Sequence, residues 1–113
     1  MRVLIIGFGF IGSNAAALLS ERGFDVHAVD IKPRILDYVK EARILSISTV
    51  DATDLNSLEE VASVVKPDII VHTAISPLAD QLSRTIRVNV VGLANALEVA
   101  RRYDSRVIYL SSG

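Results

Sequence analysis

Cysteine is absent from the sequence, and its absence excludes several kinds of protein. A chain without cysteine has no disulfide framework, no thiol nucleophile and no thiolate metal site. The two histidines, His27 and His72, lie far apart and show no spacing typical of metal ligands, so we expect no metal. The cytoplasm is the default location for such a protein.

An excess of one charge and a long apolar run are also missing. The 12 basic and 13 acidic residues give a formal net charge of -1, and the basic residues are scattered. This pattern favours neither nucleic acid nor an anionic membrane as a partner. No apolar stretch is long enough to span a bilayer, and the glycines within the first apolar segment argue against a secretory signal. We therefore expect a soluble protein.

The strongest pattern lies in the first 30 residues. Residues 2–6 form a continuous apolar run, which is typical of a parallel strand buried on both faces. Gly7-Phe-Gly9-Phe-Ile-Gly12 follows with G-x-G-x-x-G spacing, and the next residues predict a helix that ends at Gly23. We expect one side of this helix to be apolar, formed by Ile11, Ala15, Leu18 and Leu19 together with Arg22. A second strand over residues 26–29 then ends at Asp30.

This arrangement predicts a dinucleotide-binding site. Gly7 allows a tight turn, Gly9 lets the backbone approach a pyrophosphate, and Gly12 lets helix and strand pack closely. The pyrophosphate would lie on the free N–H groups at the start of the helix. Asp30 stands where its carboxylate can accept hydrogen bonds from the adenosine ribose hydroxyls.

The rest of the chain continues to alternate helices and strands. Lys32-Pro33 predicts the start of a short helix, and Asp54 is a natural N-cap for a helix from Leu55. Further strands are expected over residues 44–50, 69–74 and 106–110. Before the last strand lies a long helix whose sheet-facing side we expect to consist of Ile86, Val90, Leu93, Leu97 and Ala100.

These elements predict an α/β fold, a Rossmann-type doubly wound parallel sheet in the order 3-2-1-4-5 with helices on both faces. The 113 residues form one domain. Ligands of such sheets bind outside the carboxyl ends of the strands. Small or polar residues follow every strand at that edge, so a cofactor would lie across it, with its reactive end near the fourth and fifth strands.

The chain resembles the extended short-chain dehydrogenase/reductase superfamily, of the NAD-dependent epimerase/dehydratase type that acts largely on nucleotide sugars. The resemblance runs from end to end and is carried by five motifs: Gly9-Phe-Ile-Gly12-Ser13, Asp51-Ala-Thr-Asp54, His72-Thr-Ala74, Asn89-Val-Val-Gly92 with Asn95-Ala-Leu-Glu98, and Tyr109-Leu-Ser-Ser-Gly113. It implies NAD as the cofactor, because the Asp30 carboxylate repels a 2′-phosphate, although Lys32 and Arg34 leave NADP open.

The resemblance also implies roles for individual residues. The cofactor-binding set comprises Gly7, Gly9, Phe10, Ile11 and Gly12 at the pyrophosphate, Asp30 at the ribose, Asp51 and Ala52 at the adenine, Thr73 and Ala74 at the nicotinamide-side ribose, and also Ile31 and Asn89. Ser112 is the implied catalytic residue, placed at the substrate. Plainer roles stay open for some motif residues: Asp54 as a helix cap, His72 as a core residue, and Asn89 as support for the helix entry.

Three features depart from the family pattern. The glycine spacing is shorter than the usual G-x-x-G-x-x-G, and Ile75 and Leu93 replace a common alanine and threonine. The catalytic Tyr-x-x-x-Lys is missing, since no tyrosine has a lysine four residues later. We therefore interpret residues 1–113 as the NAD-binding portion of a longer oxidoreductase that lacks the catalytic Tyr/Lys segment and the substrate domain, and expect this chain alone to be inactive.

The implied partners are a nucleotide-sugar substrate for the parent protein and a second copy of the chain, bound through the helix over residues 86–102. Two alternatives remain. One is a regulatory nucleotide-binding module of the RCK/KTN potassium-transport type, which has a similar glycine turn and a similar length. The other is a non-catalytic NAD sensor within the short-chain superfamily.

Overall fold

The structure is a computed structural model that describes residues 1–33, 43–74 and 81–110. Five strands form one sheet: β1 Arg2–Ile6, β2 Asp25–Asp30, β3 Ser46–Thr49, β4 Ile69–His72 and β5 Arg106–Tyr109. The helices are α1 Phe10–Glu21, α2 Leu55–Val65, α3 Leu82–Ile86, a π-helical turn Arg87–Val91 and α4 Gly92–Tyr103. α3, the π-helical turn and α4 follow one another without a break in the chain. The helix predicted at Lys32-Pro33 lies outside the described residues.

The sheet confirms the predicted topology. Its strand order is β3-β2-β1-β4-β5, and every pairing is parallel. The predicted third, fourth and fifth strands are each shorter in the structure, since the ladders end at Thr49, His72 and Tyr109. Ile6 of β1 pairs with Val29 and with His72, so the chain segments that follow these three strands emerge side by side.

Two apolar layers cover the sheet, and alternate residues of β1 supply both. Val3 and Ile5 pack with Ala16 of α1, whereas Leu4 and Ile6 pack with Leu58 of α2 and with α4. These strand residues are fully or almost fully buried. Burial on both faces explains why β1 is apolar at every position from Val3 to Ile6 rather than at alternate ones.

The predicted helix boundaries are confirmed where capping signals define them. Asp54 accepts hydrogen bonds from the backbone N–H groups of Asn56 and Ser57, so it is the N-cap of α2. Gly23 has a φ of 87°, a left-handed conformation that favours glycine, directly after α1. None of the helices in the described ranges is long and apolar enough to cross a bilayer.

The apolar side predicted for α1 is wrong in part. Ala15 and Leu19 pack partly buried against the core, whereas Ile11 and Leu18 are 58% and 50% exposed. The residues that α1 buries most are Gly12, Ser13 and Ala16, whose small size lets the helix axis approach the sheet closely.

The sheet-facing side predicted for the last helix is also wrong. Ile86, Val90 and Leu97 are 53%, 60% and 50% exposed, and of the predicted set only Ala100 is fully buried. The contact is made instead by Gly92, Ala96, Val99 and Ala100. The π-helical turn adds a residue to one turn, so side chains before and after it do not share the side that simple α-helical periodicity predicts.

Candidate cofactor site

A cavity of about 440 Å³ opens at the carboxyl edge of the sheet. Segments that follow four strands line it, together with the first turns of the long helix. Its lining residues are Ile6, Gly7, Val29, Asp30, Ile31, Val50, Asp51, Ala52, Thr53, Ala74, Arg84, Arg87 and Val88. Six of these thirteen are residues that the sequence assigned to cofactor binding: Gly7, Asp30, Ile31, Asp51, Ala52 and Ala74.

The segment over residues 7–12, here called the glycine loop, forms one wall of the site, and Gly7 is its residue that lines the cavity. Gly7 has a φ of 102°, and a Cβ there would lie 2.5 Å from the Thr73 hydroxyl oxygen. A Cβ on Gly12 would collide with the carbonyl oxygen of Gly7. Gly9 is different, because a Cβ there would have no protein atom within 4 Å. Protein packing thus requires glycine at positions 7 and 12, whereas the open space at Gly9 leaves room for a ligand to reach the backbone.

Hydrogen bonds to neighbouring residues hold the glycine loop in place. The N–H of Gly7 donates to the carbonyl of Val29 over 2.8 Å, and the N–H of Phe8 donates to Asp30 Oδ2 over 2.6 Å. The other carboxylate oxygen of Asp30 accepts from the N–H of Lys32 at 2.9 Å. Asp30 therefore lies against the loop in a fixed orientation while also lining the cavity.

The segment over residues 51–53, here called the 51–53 loop, forms the opposite wall. Asp51 Oδ1 accepts from the backbone N–H of Thr53 at 2.9 Å and from its hydroxyl at 2.7 Å, which closes a local turn. The Nδ2 group of Asn95 in α4 donates to the carbonyl of Ala52 over 2.9 Å. Gly92 lies beside this loop, since a Cβ on Gly92 would be in ordinary van der Waals contact, 3.7 Å from the Cβ of Ala52.

The remaining predicted residues take different places. Thr73 follows β4, and its hydroxyl donates to the carbonyl of Gly7 over 2.8 Å. Phe10 and Ile11 begin α1 and are 73% and 58% exposed. Asn89 lies half-buried in the π-helical turn and is not among the residues that line the cavity. Ser112 lies outside the described residues.

Sequence reasoning missed the wall that the long helix contributes. Arg84, Arg87 and Val88 line the cavity at helical spacings of three and four, so they share one side of the helix. It also missed Asn95 as a support for the 51–53 loop. The spacing Gly92-x-x-x-Ala96-x-x-x-Ala100 was the available signal, because a row of small residues indicates a helix side that packs closely.

His72 lies beneath the site as a buried core residue. Its side chain is fully buried and stacks on Tyr109, with ring centroids 5.8 Å apart. Neither ring nitrogen makes a hydrogen bond with the residues that the structure describes. Burial lowers the pKa of His72, and the nearby backbone of Ala74 opposes part of this shift. The imidazole is therefore held in its neutral form.

Comparison with protein families identifies the chain. The model of the NAD dependent epimerase/dehydratase family matches residues 3–113. The chain therefore belongs to this family, which confirms the resemblance found in the sequence and agrees with NAD as the predicted cofactor. A comparison with curated proteins finds no significant match.

Solved structures with the same fold include NAD-bound enzymes. The chain is 26% identical to WbmG from Bordetella bronchiseptica in complex with NAD, with a TM-score of 0.85 over 96% of this chain and 36% of WbmG. L-threonine dehydrogenase from Clostridium difficile is 29% identical, with a TM-score of 0.85 over 98% of this chain and 36% of that one. UDP-glucose 4-epimerase from Thermus thermophilus, in complex with NAD, is 28% identical, with a TM-score of 0.79 and coverages of 92% and 35%.

Proposed function

We propose that the chain is the NAD-binding portion of an oxidoreductase that acts on a nucleotide sugar by transient or net hydride transfer. The observation that carries NAD binding is the cavity between the glycine loop and the 51–53 loop, with Asp30 between them. Its parts match the needs of a dinucleotide: free backbone N–H groups at a helix start for the pyrophosphate and a carboxylate for the ribose hydroxyls.

The residues would divide the cofactor among them. The glycine loop, with Phe10 and Ile11, would bind the pyrophosphate, and Asp30 and Ile31 the adenosine ribose. Asp51 and Ala52 would contact the adenine, while Thr73 and Ala74 would lie beside the nicotinamide-side ribose. Bound NAD accepts or donates the hydride; the protein positions it and excludes water.

The substrate and the reaction are proposals because the chain spans only 35–36% of the length of the three compared structures. A nucleotide sugar is supported by the sequence motifs and by the UDP-glucose 4-epimerase among them. We propose that the catalytic tyrosine and lysine and the substrate domain belong to a longer parent enzyme, in which Ser112 contacts the substrate. The 113-residue chain would then bind NAD without catalysing hydride transfer. The predicted cytoplasmic location also stays a proposal.

We also propose a homodimer through the helix over residues 86–102. Its support is the set of large apolar side chains that this helix and the turn before it expose: Leu82 at 67%, Ile86 at 53%, Val90 at 60% and Leu97 at 50%. Exposed apolar side chains of this kind are a common site of subunit contact. Sedimentation of the chain and of a Val90→Asp, Leu97→Glu double variant tests it; a wild-type chain that is monomeric at high concentration would contradict the proposal.

NAD binding is tested by titrating the chain with NAD and with NADP. We expect NAD to bind more tightly, because the Asp30 carboxylate repels a 2′-phosphate. Asp30→Asn removes that charge and one of the two carboxylate oxygens that accept from the N–H groups of Phe8 and Lys32. It should therefore weaken NAD binding about tenfold or more and reduce the ratio of NAD affinity to NADP affinity. Asp25→Asn, an exposed acid at the opposite end of β2, is the matched control and should change neither affinity.

Either of two results would contradict the proposal. One is a wild-type chain that binds neither dinucleotide. The other is an Asp30→Asn variant that keeps the NAD affinity and the NAD preference of the wild type.

A further inference from the structure

The side chain of Thr73 joins the ends of two neighbouring strands. Thr73 follows β4, and its backbone N–H donates to the carbonyl of Ile6, the last residue of β1, over 2.8 Å. Its hydroxyl donates to the carbonyl of Gly7 over 2.8 Å and lies 3.2 Å from that of Ile6. The side chain thus holds the peptide that begins the glycine loop.

The glycines make room for this hydroxyl. A Cβ on Gly7 would lie 2.5 Å from Thr73 Oγ1, and a Cβ on Gly12 would lie 3.0 Å from the same atom. The Gly7 carbonyl that accepts the hydrogen bond is also the group that a side chain at Gly12 would strike. Thr73 therefore packs where the loop, the strand end and the start of α1 meet.

Protein carbonyls occupy the donor capacity of this hydroxyl. A threonine hydroxyl carries one hydrogen, and the carbonyl oxygens of Gly7 at 2.8 Å and of Ile6 at 3.2 Å both lie within hydrogen-bond distance of it. Gly7 needs such a restraint because its φ of 102° lies in a region that glycine enters and leaves at little energetic penalty. Its N–H is held by Val29 of β2, and its carbonyl is held by Thr73 from the other side.

We propose that Thr73 is a positioning residue for the glycine loop. By holding the Gly7 carbonyl, while Asp30 holds the N–H of Phe8, it fixes the orientation of the Gly7–Phe8 peptide and so keeps the N–H groups at the start of α1 in place for a pyrophosphate before the ligand binds. This role rests on the proposed NAD binding and differs from direct contact with the nicotinamide-side ribose. A loop ordered in advance loses less entropy on binding, so the hydrogen bond adds affinity for the pyrophosphate specifically.

Thr73→Val and Thr73→Ser separate the hydroxyl from the shape of the side chain. Valine keeps the shape but leaves the Gly7 carbonyl unpaired, whereas serine keeps the donor. We expect Thr73→Val to weaken the binding of ADP and of ADP-ribose about tenfold each and to leave adenosine binding unchanged, because adenosine has no phosphate. ADP has a pyrophosphate but no nicotinamide-side ribose, so a loss on ADP separates positioning of the loop from direct contact with that ribose. Thr73→Ser should restore ADP-ribose affinity to near the wild-type value. If the valine variant does not fold, Thr73→Ala takes its place in the same measurements, because alanine also lacks the hydroxyl and is too small to displace the loop.

Thr53→Val is the matched control from the opposite wall. The Thr53 hydroxyl donates to Asp51 within the 51–53 loop, so its loss should weaken adenosine and ADP-ribose to a similar extent. The proposal is overturned if Thr73→Val binds ADP like the wild type, if it weakens adenosine as much as ADP, or if Thr73→Ser fails to restore affinity. A wild-type chain that does not bind ADP-ribose would instead refute the proposed function, and the inference with it.

Discussion

The two walls of the candidate cofactor site differ in how firmly they are held. The glycine loop receives hydrogen bonds or packing from β2, which includes Asp30, and from Thr73 after β4, and it has no space for a side chain at Gly7 or Gly12. The 51–53 loop closes its own turn through Asp51, and Asn95 is the side chain that ties it to α4.

This difference follows the chemistry of the ligand that each wall would hold. A pyrophosphate is bound by several N–H groups at once, so small displacements of the loop weaken every hydrogen bond together. A purine base is held largely by contact over its faces and edge, and this tolerates small adjustments. We therefore expect changes at the packed positions of the glycine loop, Gly7 and Gly12, to disturb both fold and binding, and changes to the contacts of the 51–53 loop to alter binding alone.

The largest effect is expected from Gly12→Ala. A methyl group at this position collides with the carbonyl of Gly7, so the loop and α1 must separate. We expect a loss of about 3 kcal/mol in the free energy of unfolding and a midpoint lower by roughly 10 °C or more in thermal denaturation.

Gly9→Ala is the control for Gly12→Ala within the same loop. A Cβ on Gly9 meets no protein atom within 4 Å, and the backbone there has a φ of -87°, which alanine can adopt. Its stability should stay within about 0.5 kcal/mol of the wild type while NAD affinity falls, because the methyl group occupies space meant for the pyrophosphate. Equal destabilisation by both substitutions would contradict the steric argument.

The sequence allowed the glycine loop to be predicted better than the rest of the site. Residue type and spacing were enough to predict the positions of Gly7, Gly12 and Asp30. For the two glycines this is because few other residues tolerate the turn and the close approach. The strand order could be predicted for a similar reason, since apolar runs and short connections leave few parallel arrangements.

Other parts depend on contacts that spacing does not encode. The side of α4 that meets the sheet was predicted wrongly because bulky residues were expected there, whereas Gly92, Ala96 and Val99 make much of the contact. The row of small residues indicates close packing, but it does not indicate that Asn95 contacts Ala52, which lies 43 positions earlier in the chain. Arg87, in the π-helical turn, lines the cavity together with Arg84 of α3, and no motif marks either residue.

An intermediate effect is expected from Asn95→Ala, which tests the weaker wall. The substitution removes the hydrogen bond to the Ala52 carbonyl and should reduce adenosine affinity about fivefold, equivalent to about 1 kcal/mol. ADP-ribose affinity should fall by the same factor, unlike the selective loss expected when Thr73 is changed. Asn56→Ala, at an exposed position in α2, is the control and should leave both affinities unchanged. Unaltered adenosine binding in Asn95→Ala would show that the 51–53 loop holds its position without α4.

The smallest effect is a pH dependence that arises beneath the 51–53 loop. A Cβ on Gly92 would lie 3.7 Å from the Ala52 Cβ and 4.0 Å from His72 Cε1, so this imidazole supports the helix on which the loop rests. Burial lowers the pKa of His72 below its ordinary value of 6.5, so the unfolded chain takes up a proton that the folded chain does not. Stability should therefore fall as the pH drops below about 6.5, by at most about 1.4 kcal/mol per pH unit.

His72→Phe, which keeps an aromatic ring beside Tyr109, should remove most of this dependence in urea unfolding at pH 7.0, 6.0 and 5.5. Burial also lowers the pKa of His27, but the nearby Asp25 opposes that shift. His27 should therefore contribute only the small pH dependence that remains in the His72→Phe variant. The phenylalanine variant should be at least as stable as the wild type at pH 7, since it buries no unpaired ring nitrogen. If the free energy of unfolding of the wild type does not change from pH 7.0 to 5.5, the His72 imidazole accepts its proton without disturbing α4. The 51–53 loop would then be insensitive to the charge on His72.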